Sequence, residues 1–281
     1  MSGLIVASSA LAAGSVTRQD LRRRYRKIHR NIYAPADMHL TPKDRALAAW
    51  LWSQGQATLV GVSAAAWLGS RWIPDDAPAE IARVRYAAPP GIVVRGDALA
   101  DDEVCVRGSL DCTTPARTGY DIGRRIPGDL GVIRVDALLN ATGCTVDEIA
   151  AIADRYPGAR GIRLLRETLT LADGGAESPK ETELRLLLIR AGLPRPVTQI
   201  KVGNRRVDMG YPELKVGVEY DGAQHWTDPD EHAADIDRLE YLAAQGWTII
   251  RVSARQLRYR PAEIVRRVGD ALLSRSATTV R

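Results

Sequence analysis

The sequence predicts an α/β protein of more than one domain: helices and short strands over residues 1–175, then a unit over residues 176–281 with the order αβββαβα. Three observations carry this. The chain has 281 residues, close to twice the ~150 of a typical domain. Hydrophobic residues make up 45% and charged residues 26%, the proportions of a globular protein able to bury a core. From residue 176 onward, segments of helical and of strand periodicity alternate, punctuated by Gly and Pro. No apolar run reaches the ~20 residues of a membrane helix. Leu4 to Gly14 is short and has no basic residue ahead of it, so it reads as a buried helix rather than a secretory signal. A cytoplasmic protein with no membrane partner is expected.

Cysteines and charge narrow the function classes. Cys105, Cys112 and Cys144 are an odd number with no C-x-x-C pair, which argues against a disulfide framework or a zinc ribbon and leaves reduced core thiols. The net charge of +5 is modest, but its distribution is informative. Between Arg18 and Arg30 seven basic residues face one acid, Asp20, and from Arg251 to Arg281 eight arginines face Glu263 and Asp270. Either end suits a polyanion.

In the first region Thr17 is positioned to cap a helix over Arg18–Lys27, Ile28 to Tyr33 alternates as a strand, Thr41-Pro42 opens a helix over Lys43–Ser53, and Ser63 to Trp67 joins another. Helices followed by a basic strand form the pattern of a winged-helix-like DNA-binding unit, assigned to residues 1–75. Arg22, Arg23, Arg24 and Arg26 are its candidate phosphate contacts; the bland alternative is a solvated helix face. Residues 76–175 form a mixed α/β middle region. Trp72 to Pro90 reads as a linker or loop before strands at Ile81–Tyr86 and Ile92–Arg95. Thr113-Thr114-Pro115-Ala116-Arg117 starts a helix with Pro near its first position and is read as a cap with a buried Arg bonded to backbone. Further helices fall in Thr145–Tyr156 and Gly158–Leu171, and Asp173-Gly174-Gly175 closes the region.

The last region is patterned most clearly. Glu181 to Ala191 carries Leu184, Leu187 and Leu188 on one face and ends at Gly192. Strands follow at Thr198–Val202, Arg205–Gly210 and Leu214–Asp221, then a helix at Asp230–Ala244, a strand at Trp247–Val252 and a helix at Pro261–Leu273. In Leu214–Asp221 alternation puts Val216, Val218 and Tyr220 on one face and Glu219 with Asp221 on the other, about 7 Å apart. A turn at Gly203-Asn204 sets Gln199 opposite Asp208 and Lys201 diagonally near it. Asp208 beside Glu219 and Asp221 makes a self-repelling carboxylate cluster that calls for a cation, and Mg²⁺ suits its hard oxygen donors. Each acid taken singly also reads as surface decoration. His225 and Lys201 are the candidate positive or proton-transferring groups; Lys215, about 13 Å along the strand from Glu219, is a poor one.

Glu181, Asp208 in Val207-Asp208, Glu219-Tyr220-Asp221-Gly222, His225, Asp235-Ile236-Asp237-Arg238-Leu239 and Gly246-Trp247-Thr248-Ile249-Ile250-Arg251 together resemble the endonuclease-like domain related to very-short-patch-repair endonucleases, within the PD-(D/E)xK superfamily. The likeness covers roughly Ala176 to Leu257. It implies a restriction-endonuclease-like fold in which Asp208, Glu219 and Asp221 bind Mg²⁺ or Mn²⁺ and Glu181 assists. The superfamily places a Lys two residues after the Glu. Here that position is Asp221, and relatives that lack the Lys use histidines nearby, which points to His225. Those relatives also carry a structural zinc; no cysteine in this region could build one, and no zinc is expected.

Residues from about Val16 to Asp173, with Arg30-Asn31-Ile32-Tyr33 and Thr113-Thr114-Pro115-Ala116-Arg117-Thr118-Gly119-Tyr120-Asp121, resemble AbiE-type antitoxin and transcriptional-regulator proteins. That likeness implies a winged-helix unit followed by a mixed α/β domain, with a toxin or defence protein as a possible partner. The combined expectation is a DNA-binding protein with a Mg²⁺-dependent endonuclease domain, catalytic through Glu181, Asp208, Glu219, Asp221, His225 and Lys201, in repair or phage defence. The rival is a catalytically inactive antitoxin-like or regulatory protein using the same fold to bind.

Overall fold

The computed structural model of the chain describes residues 3–83, 87–222 and 229–279. The chain forms two compact units, Met1–Gly174 and Gly175–Arg281. The first contains β1 (Ile5–Val6), α1 (Ala7–Ala12), α2 (Arg18–Arg23), β2 (Tyr25–His29), β3 (Ile32–Pro35), α3 (Pro42–Trp52), β4 (Thr58–Leu59) and α4 (Gly61–Trp67). It continues through β5 (Ala79–Ala82), β6 (Ile92–Arg95), β7 (Val104–Arg107), β8 (Leu110–Thr113), α5 (Pro115–Arg125), α6 (Gly128–Thr142), α7 (Val146–Arg155) and α8 (Ile162–Leu171).

Caps explain several boundaries. Thr17, Thr41 and Thr145 each accept from the N–H three residues on, and Asp20, Asp44 and Glu148 return the bond. The basic run, however, is not one helix. The helix α2 stops at Arg23 because Tyr25 to His29 pairs with β3 across the left-handed Asn31, φ 68°. Arg26 therefore sits on a strand, its guanidinium bonded to the Met38 carbonyl at 2.6 Å. Leu4 to Gly14 also departs from the expected buried helix. It holds β1, paired with β3, and a six-residue α1 in which only Ala7 is buried.

A second sheet, in the order β6-β5-β4-β8-β7, includes the buried strand β5, which overlaps the strand expected at Ile81–Tyr86 and begins two residues before it; residues 84–86 lie outside the described residues. On β7 and β8, Cys105 and Cys112 are direct partners; all three cysteines are free. Helices α5 to α8 share a core that includes Tyr120, Leu138, Ile149 and Leu165. Arg117 is buried, but its partners are carboxylates rather than backbone: it donates to Glu103 and, at 3.2 Å, to Asp121. Pairing is what makes such burial tolerable.

The second unit comprises α9 (Pro179–Arg190), β9 (Val197–Val202), β10 (Arg205–Tyr211), β11 (Val216–Asp221), α10 (Pro229–Ala244), β12 (Thr248–Ser253), α11 (Ala254–Tyr259) and α12 (Pro261–Thr279). This is the expected αβββαβα order with one short added helix, α11. Its sheet runs β12-β11-β10-β9, with β11 and β12 parallel and the other neighbours antiparallel. Leu184 and Leu188 of α9 and Ile264, Val268 and Leu272 of α12 pack on Val216, Val218, Ile250 and Val252. The opposite side carries Ile200, Val202, Val207 and Leu242 of α10. Gly210 faces Gly217 across β10 and β11, and a Cβ at Gly210 would lie 2.2 Å from the Val216 carbonyl oxygen. Only glycine permits this close approach, just below the acids.

Candidate active site

Strand pairing brings the acids together. Met209 pairs with Val218 and Gly210 with Gly217, which leaves Asp208 and Glu219 each next to the last paired residues of their strands. The Asp208 carboxylate accepts the Tyr220 N–H at 3.1 Å, which ties the two strands at this level. On β9 the register expected from the Gly203-Asn204 turn is present, with Arg206 opposite Lys201 and Val207 opposite Ile200. At Gln199 the backbone turns left-handed, φ 52°, and the hydrophobic faces change over: Met209 joins one core, Val207 the other. Plain alternation past this point, on which the placing of Lys201 beside Asp208 relied, is therefore broken. Lys201 is exposed and is not among the residues lining the cleft.

The cleft has a volume of about 620 Å³ and is lined by Asp208, Glu219, Asp221 and Asp235 together with Arg205, Arg206, Arg238 and Arg251 among others. Two arginines and three acids form a chain of contacts. Arg238 of α10 grips Glu219 with both terminal nitrogens, at 2.6 and 3.0 Å, and reaches Asp235 at 2.8 Å. Arg251 of β12 bonds the other Asp235 oxygen at 3.0 Å and Asp221 at 2.9 Å. The hydrogen bonds that Arg238 donates to Glu219, then those it donates to Asp235, raise its pKa further above the ordinary value. Glu219 itself is buried.

Among the described residues Asp208 has no ion-pair partner, and its chemistry follows from that. Burial, then the negative charges of Glu181 and Glu219, push its carboxyl up to about 7; the Tyr220 N–H and the positive charge of Arg238 act the other way. Glu181 contributes charge but does not line the cleft. One of its oxygens accepts from the Ser178 hydroxyl at 2.8 Å and the other from the Glu177 N–H at 2.9 Å, so it caps the start of α9. His225 lies outside the described residues.

Asp235, Arg238 and Arg251 fall in motifs evident in the sequence, but their joint role depends on three elements meeting. Arg205 had no sequence signal beyond its charge. It lines the cleft, and its Nε is buried without a partner among the described residues. Among those residues, no group of three His, Cys, Asp or Glu side chains has the arrangement of a metal cage. Mg²⁺ does not need one, since it is commonly held by one or two carboxylates, water and substrate phosphate. The unneutralised Asp208 beside Glu219 offers hard donors of that kind.

In the first unit Arg22, Arg23 and Arg24 are exposed. Only Arg22 and Arg23 lie in α2, with Arg24 as its C-terminal cap.

Comparison with known proteins supports the reading of the second unit. The chain is 33% identical over 172 residues to two proteins of Mycobacterium tuberculosis, "Uncharacterized protein Rv2248" of strain H37Rv and "Uncharacterized protein MT2308" of strain CDC 1551. The alignment covers 59% of this chain and spans 63% of the length of these curated relatives. No solved structure matches. The family model REase_MTES_1575 matches residues 181–272, so the C-terminal part of the chain carries a restriction-endonuclease-like domain.

Proposed function

We propose that the chain is a cytoplasmic DNA-binding protein whose C-terminal unit is a divalent-metal-dependent phosphodiesterase, an endonuclease of DNA repair or phage defence. The observation that carries this is Asp208: a half-buried carboxylate beside Glu219, with no ion-pair partner among the described residues, in an open cleft edged by arginines. In this reading residues 1–75 dock DNA through Arg22, Arg23, Arg24 and Arg26, and residues 76–175 form the middle region.

Asp208 and Glu219 would hold Mg²⁺ or Mn²⁺, with Asp221 at the edge of the same cleft. When bound, the metal supplies polarisation of a phosphate oxygen and acidification of water. Binding requires Asp208 to be ionised, so metal affinity rises as the pH passes about 7. Arg238 fixes the Glu219 carboxylate, and Arg251 fixes Asp221. The Nε of Arg205, without a partner among the described residues, is a donor for a phosphate oxygen. Glu181 keeps Asp208 electrostatically strained while capping its helix, and His225 is assigned proton transfer.

Asp221, in place of the usual Lys and tied to Arg251, favours the rival in which the unit grips nucleic acid without cutting it. The two separate on incubation with supercoiled, linear, mismatched and single-stranded DNA with Mg²⁺ or Mn²⁺, beside Asp208→Asn and His225→Ala. Metal-dependent cutting lost in Asp208→Asn supports the enzyme. A wild-type protein that cuts none of these with either metal assigns the unit to the binding rival.

A further inference from the structure

The first unit contains a large cavity that the nuclease reading leaves unused. It has a volume of about 1430 Å³ and lies among α1, the β2–β3 hairpin and the end of α3. Trp50 and Trp52 each pack part of the ring on the core made by Ala46, Ala49 and Leu59, and each also lines the cavity. Both are half-buried, as is Tyr33 across from them on β3. Lys27 and Arg30, exposed on the hairpin, line the same space. A register shift between Lys27 and His29 interrupts the alternation that would otherwise set residues 27 and 30 on opposite faces. Among the described residues, none that lines the cavity is acidic. Gln56 adds an exposed side-chain amide at the rim.

Aromatic surface beside unopposed positive charge is the chemistry that takes an unpaired nucleotide: π-faces for stacking, cations for the phosphates, an amide for base edges. A duplex keeps its bases stacked on one another and offers no base face to such a wall. Volume separates the two sources of unpaired nucleotides. Small-molecule sites span about 300–1,000 Å³, and this cavity is larger, so it suits a short strand better than a free mononucleotide.

We infer that this cavity binds a segment of single-stranded nucleic acid, with bases against Trp50, Trp52 and Tyr33 and backbone phosphates on Lys27 and Arg30. The site stands apart from the C-terminal acids and does not depend on their being catalytic. Binding is tested on the whole chain in EDTA, which prevents metal-dependent cutting, by fluorescence anisotropy of labelled dT12, of the same length as duplex, and with dTMP as competitor. The expected result is binding of dT12 with quenching of tryptophan fluorescence and no displacement by equimolar dTMP, while duplex, held elsewhere on the chain, leaves tryptophan fluorescence unchanged. Changing Lys27→Ala with Arg30→Ala, both exposed, should weaken dT12 binding about tenfold and lower the log–log salt slope by about 1.4, at ~0.7 for each single-strand phosphate contact. Trp52→Leu should weaken it about tenfold and Trp52→Phe much less, as expected for stacking. If Trp52→Leu fails to fold, the Lys27 and Arg30 pair still decides. Unchanged dT12 affinity and salt slope in that pair would overturn the inference, as would duplex binding that falls as much as dT12 binding in that pair. Displacement by equimolar dTMP would replace the strand with a free nucleotide. None of these results bears on the cleavage assay, so the two readings fail separately.

Discussion

Replacing Asp208 by Asn tests the electrostatics of the cleft with little change in its shape, because Asn keeps a side-chain oxygen to accept the Tyr220 N–H. In the folded chain the Asp208 carboxyl is raised from 3.8 to about 7 by burial and by Glu181 and Glu219. At about 1.4 kcal/mol for each tenfold change in proton affinity, the ionised carboxylate costs at most ~4 kcal/mol of folding stability, and solvent in the open cleft reduces this to about 2–3 kcal/mol. The folded state holds the proton more tightly than the unfolded state. Stability is therefore lowered in full above about pH 7, and the penalty fades as the pH falls from 7 toward 4. Asn carries no such penalty. In EDTA at pH 8 Asp208→Asn should be more stable than wild type by about 2–3 kcal/mol, with the gain shrinking steadily below pH 7. Urea unfolding at a series of pH values, read by hydrogen exchange of peptides from β10 and β11, isolates this unit. Added Mg²⁺ should stabilise wild type and leave the variant unchanged. No gain at pH 8, or an equal gain at pH 5 and pH 8, would refute the argument that Asp208 is a strained carboxylate awaiting a cation.

Arg238→Met removes both hydrogen bonds from buried Glu219 while Asp235 keeps Arg251; the loss should be about 3–5 kcal/mol in urea unfolding of the same unit, the range for a stranded buried charge. A loss that Glu219→Gln fails to relieve in the double variant would show that packing, not charge, is responsible. Gly210→Ala drives a methyl against the Val216 carbonyl and should cost at least the ~1–3 kcal/mol of overpacking. It should also speed amide exchange at Tyr220, whose N–H depends on the spacing of β10 from β11; unaltered exchange there would mean that the glycine pair does not position the acids.

How far the sequence could be read depended on whether a feature was local. The hairpin at Gly203-Asn204 has its register written in the turn, and the αβββαβα order follows from periodicity and from Gly192 and Gly246, both left-handed in the fold. Glu219 and Asp221 share a cleft because strands alternate. The basic segment misled because Arg and Lys are good helix formers, whereas Tyr25 to His29 is extended by pairing with β3, a distant choice that propensity does not record. Gln199 is a residue type with no special claim to a left-handed backbone, yet its conformation coincides with the changeover of faces that separates Lys201 from the cleft. The motif gives Glu181 a catalytic part, while Ser178-Pro179-Lys180-Glu181 is also the signature of a helix cap, and its carboxylate is bonded there. The backbone partners that the sequence suggests for Arg117 are replaced by carboxylates; the approach of Glu103 and Asp121 from different elements shows why it tolerates burial.

The arginines bear directly on the missing Lys. In a cleft with acids at 208, 219, 221 and 235, Arg238 and Arg251 are already committed, one to Glu219 and Asp235, the other to Asp235 and Asp221. Neither guanidinium bonds Asp208, and Glu181 adds negative charge close to it. A lysine at 221 would remove the acid that Arg251 holds. Arg251 is the direct β12 partner of Glu219, on the strand beside the one from which the resemblance would supply a lysine. A guanidinium does not deprotonate water at neutral pH, so it replaces the electrostatic part of a lysine and not its proton chemistry. Arg251→Lys is the discriminating change: it keeps the charge and the strand position but cannot span Asp235 and Asp221 with a planar fork. If the arginine serves only as counter-charge, cutting by Arg251→Lys should match wild type at saturating metal, whereas a loss in the rate of cutting with unchanged metal affinity would make its two-armed hold on the acids part of positioning the substrate.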